Sequence, residues 1–306
     1  MPTPASRLIP PLFRLLGYKR VWASASATVK EADEILVRPE SFGPPRRLRR
    51  DAQISVSYDN GWPVYQVAPR GRTPAEHVVY SHGGGWIHQI QPAHWRLVAE
   101  VAVGSGASIT VPIYPLAPLG TAGTVVPAIA DLLAALVDRH GADHVTAMGD
   151  SSGGQISLSA VLLLRQRGVP PLHHTVMISP VLDASFSNPG IGQVEPRDPW
   201  LGRPGLRAAA DLWRADLPIE DMLVSPLFAD PSALGPLSIF SGTRDITNPD
   251  IRVFVSKARE AGVEVDFHEA ADLVHVFPLL PTPEGKQARQ AIIETLRDRH
   301  PEVRGR

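Results

Sequence analysis

Residues 144–164 read HVTAMGDSSGGQISLSAVLLL. A short apolar run gives way to GDSSGG, Gly149 to Gly154, and then to a stretch whose apolar positions recur at helical spacing. The pattern predicts a strand over 144–150 and a helix from Ser152 to about Arg167. Between them the chain must reverse sharply, and a side chain at Gly149 or Gly153 would collide with the neighbouring strand or helix. Such a turn lifts the hydroxyl of Ser151 above the end of a sheet. Ser152 then opens the helix, where unpaired N–H groups and the helix dipole favour a developing negative charge. A G-x-S-x-G match alone is weak, so the rest of the chain has to supply the context.

From His77 onward short apolar runs alternate with helical stretches: HVVYSH, a helix from about His94, SITVPIY, a helix over 124–140, HVTAMGD, the helix after Ser151, and HTVMISP. Near-continuous apolar strands alternating with helices predict an α/β fold, a mostly parallel sheet covered on both faces. Upstream, QISVSY and GWPVYQVAP flank Asn60-Gly61 as two strands of a hairpin do. The rhythm fails over 183–225, a proline-rich stretch with one helical patch over 206–216, which reads as an insertion over the sheet. It resumes with LSIFSG, a helix over 248–261, VEVDFHE and a last helix over 283–299. Residues 1–45 form short helical patterns broken by prolines, and PPRRLRR, Pro44 to Arg50, reads as an exposed linker.

The chain has 306 residues, 43% hydrophobic and 20% charged, with a net charge of −1. That balance gives no long-range field toward nucleic acid or an anionic membrane. With no cysteine there is no disulfide, thiolate zinc site or cysteine nucleophile, which fits a reducing compartment. Arg14, Lys19 and Arg20 interrupt the apolar stretch that a signal peptide needs, and no run reaches transmembrane length. The expectation is a mature, cytoplasmic chain with no cofactor, no metal, no nucleic-acid partner and no stable membrane insertion, acting as a monomer or homodimer. His173 and His174 begin a strand and point to opposite faces, so they cannot share an ion.

A serine hydroxyl needs a general base oriented by a third group. Asp245 lies just past the strand LSIFSG and His275 on the loop after VEVDFHE, in the chain order serine, acid, histidine that α/β-hydrolases use. Asp250, inside a predicted helix, and His268, inside a strand, are the rivals. SHGGGW, Ser81 to Trp86, follows the strand HVVY and offers backbone N–H groups unshielded by side chains; Gly83 and Gly84 would join Ser152 as an oxyanion hole. His82 precedes these glycines and reads as a loop-orienting residue.

On HGGGW, YPLAP (Tyr114 to Pro118), GDSSGG, SPVLD (Ser179 to Asp183), GTRD and HVF the sequence resembles the hormone-sensitive lipase family of α/β-hydrolases, its bacterial family IV esterases, from about Arg50 onward. The resemblance implies an eight-stranded sheet, a cap made from residues 1–45 and 183–225 over a core of 46–182 and 226–306, and cofactor-free hydrolysis of a small ester. It departs in YPLAP, where arginine commonly follows the tyrosine, in DITNP, where Pro-Leu commonly follows the acid, and in HVF, where HGF is usual; Val276 thus adds bulk beside the base.

The candidate pocket residues are Trp86, Trp22, Trp200, Leu201, Trp213 and Val276, although packing within the cap is the plainer reading of Trp22, Trp200 and Trp213. A carboxylesterase for short to medium acyl chains is the leading function. Amidase or formamidase chemistry needs the same groups, and a receptor on this scaffold would lack the histidine. Long-chain triglycerides are expected to be poor substrates, because no exposed apolar lid is evident.

Overall fold

Thr3 and Ser24 each offer a side-chain oxygen to a backbone N–H three residues on, and so start α1 (Pro4–Leu16) and α2 (Ala25–Val37). The computed structural model describes residues 2–297. The stretch expected to be an exposed linker instead winds into a 3-10 turn, Arg46–Arg50, because Leu48 turns inward from its four arginines and is buried.

Asn60 and Gly61 have φ of +49° and +78°, the left-handed pair that joins β1 (Ala52–Asp59) to β2 (Trp62–Pro69) as a hairpin. After β3 (His77–Ser81) come α3 (Pro92–Ser105), β4 (Ser108–Pro112), α4 (Ala122–His140), β5 (Val145–Asp150), α5 (Ser152–Gln166) and β6 (His174–Ile178). The insertion follows with α6 (Ile191–Val194) and α7 (Arg203–Arg214), one short helix more than the sequence suggests. β7 (Leu237–Gly242), α8 (Asn248–Glu260), β8 (Val265–Ala270) and α9 (Pro283–Thr295) complete the chain; residues 298 and 299, to which the sequence extends the last helix, lie outside the described residues.

The eight strands form one sheet in the order β1-β2-β4-β3-β5-β6-β7-β8. β1, β2 and β4 pair antiparallel, and every other pairing is parallel. Alternate strand residues feed opposite faces. Val79, Ala147, Met177 and Ile239 join a core with α4, α5 and α8, while Val78, Met148, Val176 and Phe240 join another with α3 and α9. Both faces are covered, which is why these strands read as unbroken apolar runs. The C-terminal ends of β5, β7 and β8 therefore open on one edge, where connecting loops can meet.

The N-terminal segment and the insertion pack on each other above that edge. α2 lies along α7, and a Cβ on Gly205 would meet the Trp22 backbone. Lys19 Nζ donates to the carbonyls of Glu195 (2.8 Å) and Asp198 (3.0 Å). α1 is fastened at its start: Glu284 on α9 accepts from Thr3 N (2.5 Å), Thr3 Oγ1 (2.9 Å) and Ser6 Oγ (2.6 Å). Only Ser6, Pro10 and Phe13 of α1 are buried, so its leucines outnumber what the core beneath can cover. The sequence shows no evident exposed apolar lid, whereas in the structure Leu8, Leu12, Leu15 and Leu16 of α1 face solvent.

Candidate active site

Gly149 and Gly153 bracket Ser151 at the end of β5. A Cβ on Gly149 would strike the Gly153 carbonyl, and one on Gly153 would strike the carbonyls of Ser81 and His82. Absence of side chains at both positions lets the chain reverse, and Ser151 takes φ +54°, ψ −123°, a region that costs a non-glycine residue roughly 1–3 kcal/mol. Its N–H is held by the Ile178 carbonyl of β6 at 2.8 Å, so the neighbouring strand fixes the strained residue.

The loops after β7 and β8 bring two side chains to the hydroxyl. His275 Nε2 lies 2.8 Å from Ser151 Oγ, and His275 Nδ1 lies 2.9 Å from Asp245 Oδ2. With Asp245 as the Nδ1 acceptor, the imidazole keeps its proton on Nδ1 and presents the Nε2 lone pair to the serine. Asp245 Oδ1 accepts from Thr247 N at 2.9 Å, which leaves Oδ2 for the histidine. Burial opposes a charge on His275, but the carboxylates of Asp245, Asp198 and Asp150 outweigh it and raise its pKa.

The rivals lie elsewhere. Asp250 accepts from Asn188 Nδ2 (2.8 Å), and burial pushes its carboxyl up to about 7. His268 stacks on Phe240, with ring centroids 4.3 Å apart, and pairs with Asp266 (2.7 Å). His173 faces Glu76 (2.9 Å) and His174 faces Ser238 (2.8 Å), so the two imidazoles diverge.

The glycine loop differs from expectation by one residue. The Gly83 N–H donates to Asp150 Oδ1 at 3.0 Å, which removes it from the oxyanion set. Gly84 (φ +132°) and Gly85 (φ +58°) border the cavity; among the described residues no acceptor takes their N–H groups or that of Ser152. Gly84, Gly85 and Ser152 are thus the free donors around Ser151.

Asp150, which sequence reasoning left unassigned, makes this loop rigid. It also accepts from the Tyr80 hydroxyl and lies 3.2 Å from His94 Nε2. His94 Nδ1 accepts from Gln91 N (2.8 Å), so its proton is on Nε2 and points at Asp150. Burial would raise the Asp150 pKa, but His94, Tyr80 and the Gly83 N–H together lower it. His82 orients the loop, as its place in the sequence suggests: its ring stacks on Tyr114 with centroids 4.4 Å apart, its Nδ1 lies 2.7 Å from the Gly83 carbonyl, and burial, with His94 next in effect, lowers its pKa to about 4.

A cavity of about 680 Å³ opens above the serine, and Trp22, Trp200, Leu201 and Val276 border it. Trp86 and Trp213 do not. They stack on each other with centroids 6.0 Å apart beneath the cavity wall, and Trp86 Nε1 donates to Gln155 (2.9 Å); both are too deeply buried to meet a ligand. Val276 has φ +46°, the left-handed region costly for a β-branched residue, which gives a physical reason for glycine in the commoner HGF.

Asp198 went unnoticed in the sequence because nothing local distinguishes it. Its Oδ1 accepts from Trp200 N (2.8 Å) and Leu201 N (2.9 Å), and its Oδ2 from Ile246 N (2.9 Å). It therefore ties the insertion to the loop that carries Asp245 and sets the Trp200 ring edge-on to His275, centroids 5.7 Å apart. Burial and then the charge of Asp245 push its carboxyl up to about 6.

Among the described residues no group of three or more His, Asp or Glu could hold a metal, and no helix is long and apolar enough to cross a membrane. Residues 78–279 match the alpha/beta hydrolase fold family. The chain is 34% identical over 245 residues to a triacylglycerol lipase of Mycobacterium tuberculosis, a match covering 79% of this chain and 51% of the lipase, so it spans about half that relative's length. It is 28% identical to an acetyl-hydrolase of Streptomyces hygroscopicus, covering 80% of this chain and 86% of that one. A hormone-sensitive lipase structure from a metagenome library superposes with a TM-score of 0.74 at 26% identity, covering 87% of this chain and 90% of the other. This is the likeness that the motifs imply.

Proposed function

The chain belongs to the alpha/beta hydrolase fold family, and on that premise we propose that it is a serine carboxylesterase acting on short to medium acyl esters through an acyl-enzyme. One observation carries the reading: Ser151, His275 and Asp245 are joined by hydrogen bonds of 2.8 and 2.9 Å, and a carboxylate at Nδ1 favours the tautomer that a general base requires.

Ser151 Oγ attacks the acyl carbonyl carbon while His275 Nε2 takes its proton. The carbonyl oxygen becomes an oxyanion held by the N–H groups of Gly84, Gly85 and Ser152, each such donor contributing about 2.7–4 kcal/mol where measured. His275 returns the proton to the leaving alkoxide, the alcohol departs, and the acyl group stays on Ser151. Water then attacks the acyl-enzyme with His275 again as base; the bond from the acyl carbon to Ser151 Oγ breaks, His275 returns the proton to Oγ, and the carboxylic acid is released. Asp245 holds the imidazole at Nδ1 and steadies the imidazolium that forms.

Residues 1–45 and 183–225 act as the cap in this reading, over a core of 46–182 and 226–306. Their packing on each other through α2 and α7, and the position of Trp22, Trp200 and Leu201 on the cavity, support that division. A cytoplasmic location, suggested by a chain without cysteine, and a monomer or homodimer complete the proposal.

The test is kcat/KM on p-nitrophenyl esters of graded chain length beside matched anilides, with intact-mass mapping of a serine-directed organophosphonate. Esters turning over faster than anilides and one adduct at Ser151 are expected. Faster anilide turnover would make the protein an amidase, and an adduct on another serine would overturn the assignment.

A further inference from the structure

The solvent-facing side of α1 is apolar, where a surface helix ordinarily turns its polar residues outward. Leu8, Leu12, Leu15 and Leu16 are 67%, 44%, 82% and 58% exposed, and Tyr18 just beyond is 41% exposed. At about 100° per residue these four leucines fall in one arc roughly 100° wide. The buried residues Ser6, Pro10 and Phe13 lie on the other side of the helix.

Two further features say what covers this stripe. The first is charge: Arg14 is exposed on one flank of the helix, about 100° from the nearest leucine of the stripe, Arg20 is exposed in the next turn, and residues 1–20 contain no Asp or Glu. Leucines outermost and arginines on the flank suit a helix lying in a headgroup layer, its leucines among acyl chains and the long flanking side chains of Arg14 and Arg20 reaching the phosphates. The second is continuity. Leu12 belongs both to the stripe and to the wall of the cavity over Ser151, and Ile9, Phe13 and Tyr18 carry that wall inward. An apolar surface therefore runs without interruption from the outer face of α1 to the proposed nucleophile.

We propose that the outer face of α1 docks the enzyme on an anionic lipid–water interface, so that esters dissolved in the lipid enter the cavity from the docked side. This deepens the esterase reading and rests on it for the fate of the ester, while the docking itself can be measured without turnover. It leaves acyl length to the cavity: docking decides where the ester is collected, and the walls around Ser151 decide how much chain fits. The fastening of Thr3 and Ser6 to Glu284 holds α1 on the body of the protein, so the helix docks as a fixed surface.

The experiment compares the full chain with a Leu8→Ser/Leu15→Ser/Leu16→Ser variant, none of whose positions borders the cavity. Cosedimentation uses phosphatidylglycerol/phosphatidylcholine vesicles and vesicles of phosphatidylcholine alone. Wild-type protein should bind the anionic vesicles, more weakly as salt is raised, and the variant should bind them at least about tenfold less tightly. Turnover of soluble p-nitrophenyl butyrate should agree within about twofold between the two, while hydrolysis of a tributyrin emulsion should fall with vesicle binding. Wild type that fails to bind anionic vesicles, or a variant that binds them equally, overturns the proposal. So does a wild-type dimer, seen by light scattering, that the variant turns into a monomer, for then a second copy covers the stripe. Loss of butyrate turnover in wild type would count against the esterase reading and leave the vesicle result standing.

Discussion

The Asp198 carboxylate accepts the backbone N–H of Ile246, the residue after Asp245, at 2.9 Å. An acid from the insertion thus stands behind the acid that orients His275, and because it also accepts from the N–H groups of Trp200 and Leu201 the cavity wall and the Asp245 loop form a single unit. The charge of Asp245 adds to burial in opposing ionisation of Asp198, and both carboxylates favour a proton on His275.

Asp198→Asn tests that arrangement through pH. A base must be neutral to take the serine proton, so activity rises as pH climbs through the His275 pKa, which its neighbours hold above the ordinary value of about 6.5. The other charged groups bearing on the base are Asp245 and Asp150, with Lys19 at the Asp198 carbonyl. Removing the Asp198 charge should move the acid limb of kcat/KM to lower pH, and should lower kcat as well, since an amide NH2 then faces the Ile246 N–H. An unmoved limb would reduce Asp198 to packing.

Ser151→Ala should abolish ester turnover with the fold intact, because no other group can carry the acyl chain. Relief of the strained φ does not arise, as alanine is equally disfavoured at +54°. Rate and thermal melt are measured together. A variant keeping about a tenth of wild-type activity with an unchanged melt would identify a different nucleophile.

Asp150→Asn should be costly to stability and to rate. The carboxylate accepts from Tyr80, the Gly83 N–H and His94, and a buried amide cannot satisfy three donors; breaking a buried charged network costs about 3–5 kcal/mol. The sign in pH follows from its lowered pKa. The carboxylate's contribution is present above its unfolded value of about 3.9 and is lost as pH falls through the lower folded value. Melting temperatures of wild type and variant should therefore differ widely at pH 7 and converge in strong acid. A constant gap would refute this account.

Val276→Gly should shift acyl preference. Val276 borders the cavity and sits at φ +46°, so glycine removes both bulk and backbone strain. Each methylene that fits is worth roughly 0.8 kcal/mol of burial. In wild type, kcat/KM should climb from acetyl to butyryl or hexanoyl esters and then fall; in the variant the maximum should move to longer chains. A wild-type maximum at about twelve carbons or more would make the cavity far roomier toward chains than its walls suggest.

Local pattern in the sequence determined a good deal. Strand runs, helical spacing and the glycines around Ser151 are properties of a few adjacent residues, so the alternation from His77 onward, the hairpin at Asn60-Gly61 and the turn at GDSSGG are legible without a structure. The order serine, acid, histidine is legible too, because each of Ser151, Asp245 and His275 follows a recognisable strand. Contacts between distant residues carry no such signature. Asp198 and Ile246 are 48 residues apart, and nothing near either says that they meet. Asp150 and Gly83 are 67 apart, so only the fold could reveal that the first glycine of the loop spends its N–H on that carboxylate, while those of Gly84 and Gly85 are left without an acceptor among the described residues. The same holds for burial. Trp213 and Trp22 have similar surroundings in the sequence, yet packing of α7 on the body sends one into the core against Trp86 and leaves the other on the cavity. Whether the leucines of α1 meet a neighbour or solvent was likewise decided in three dimensions, by how much surface the body of the protein had left to cover them.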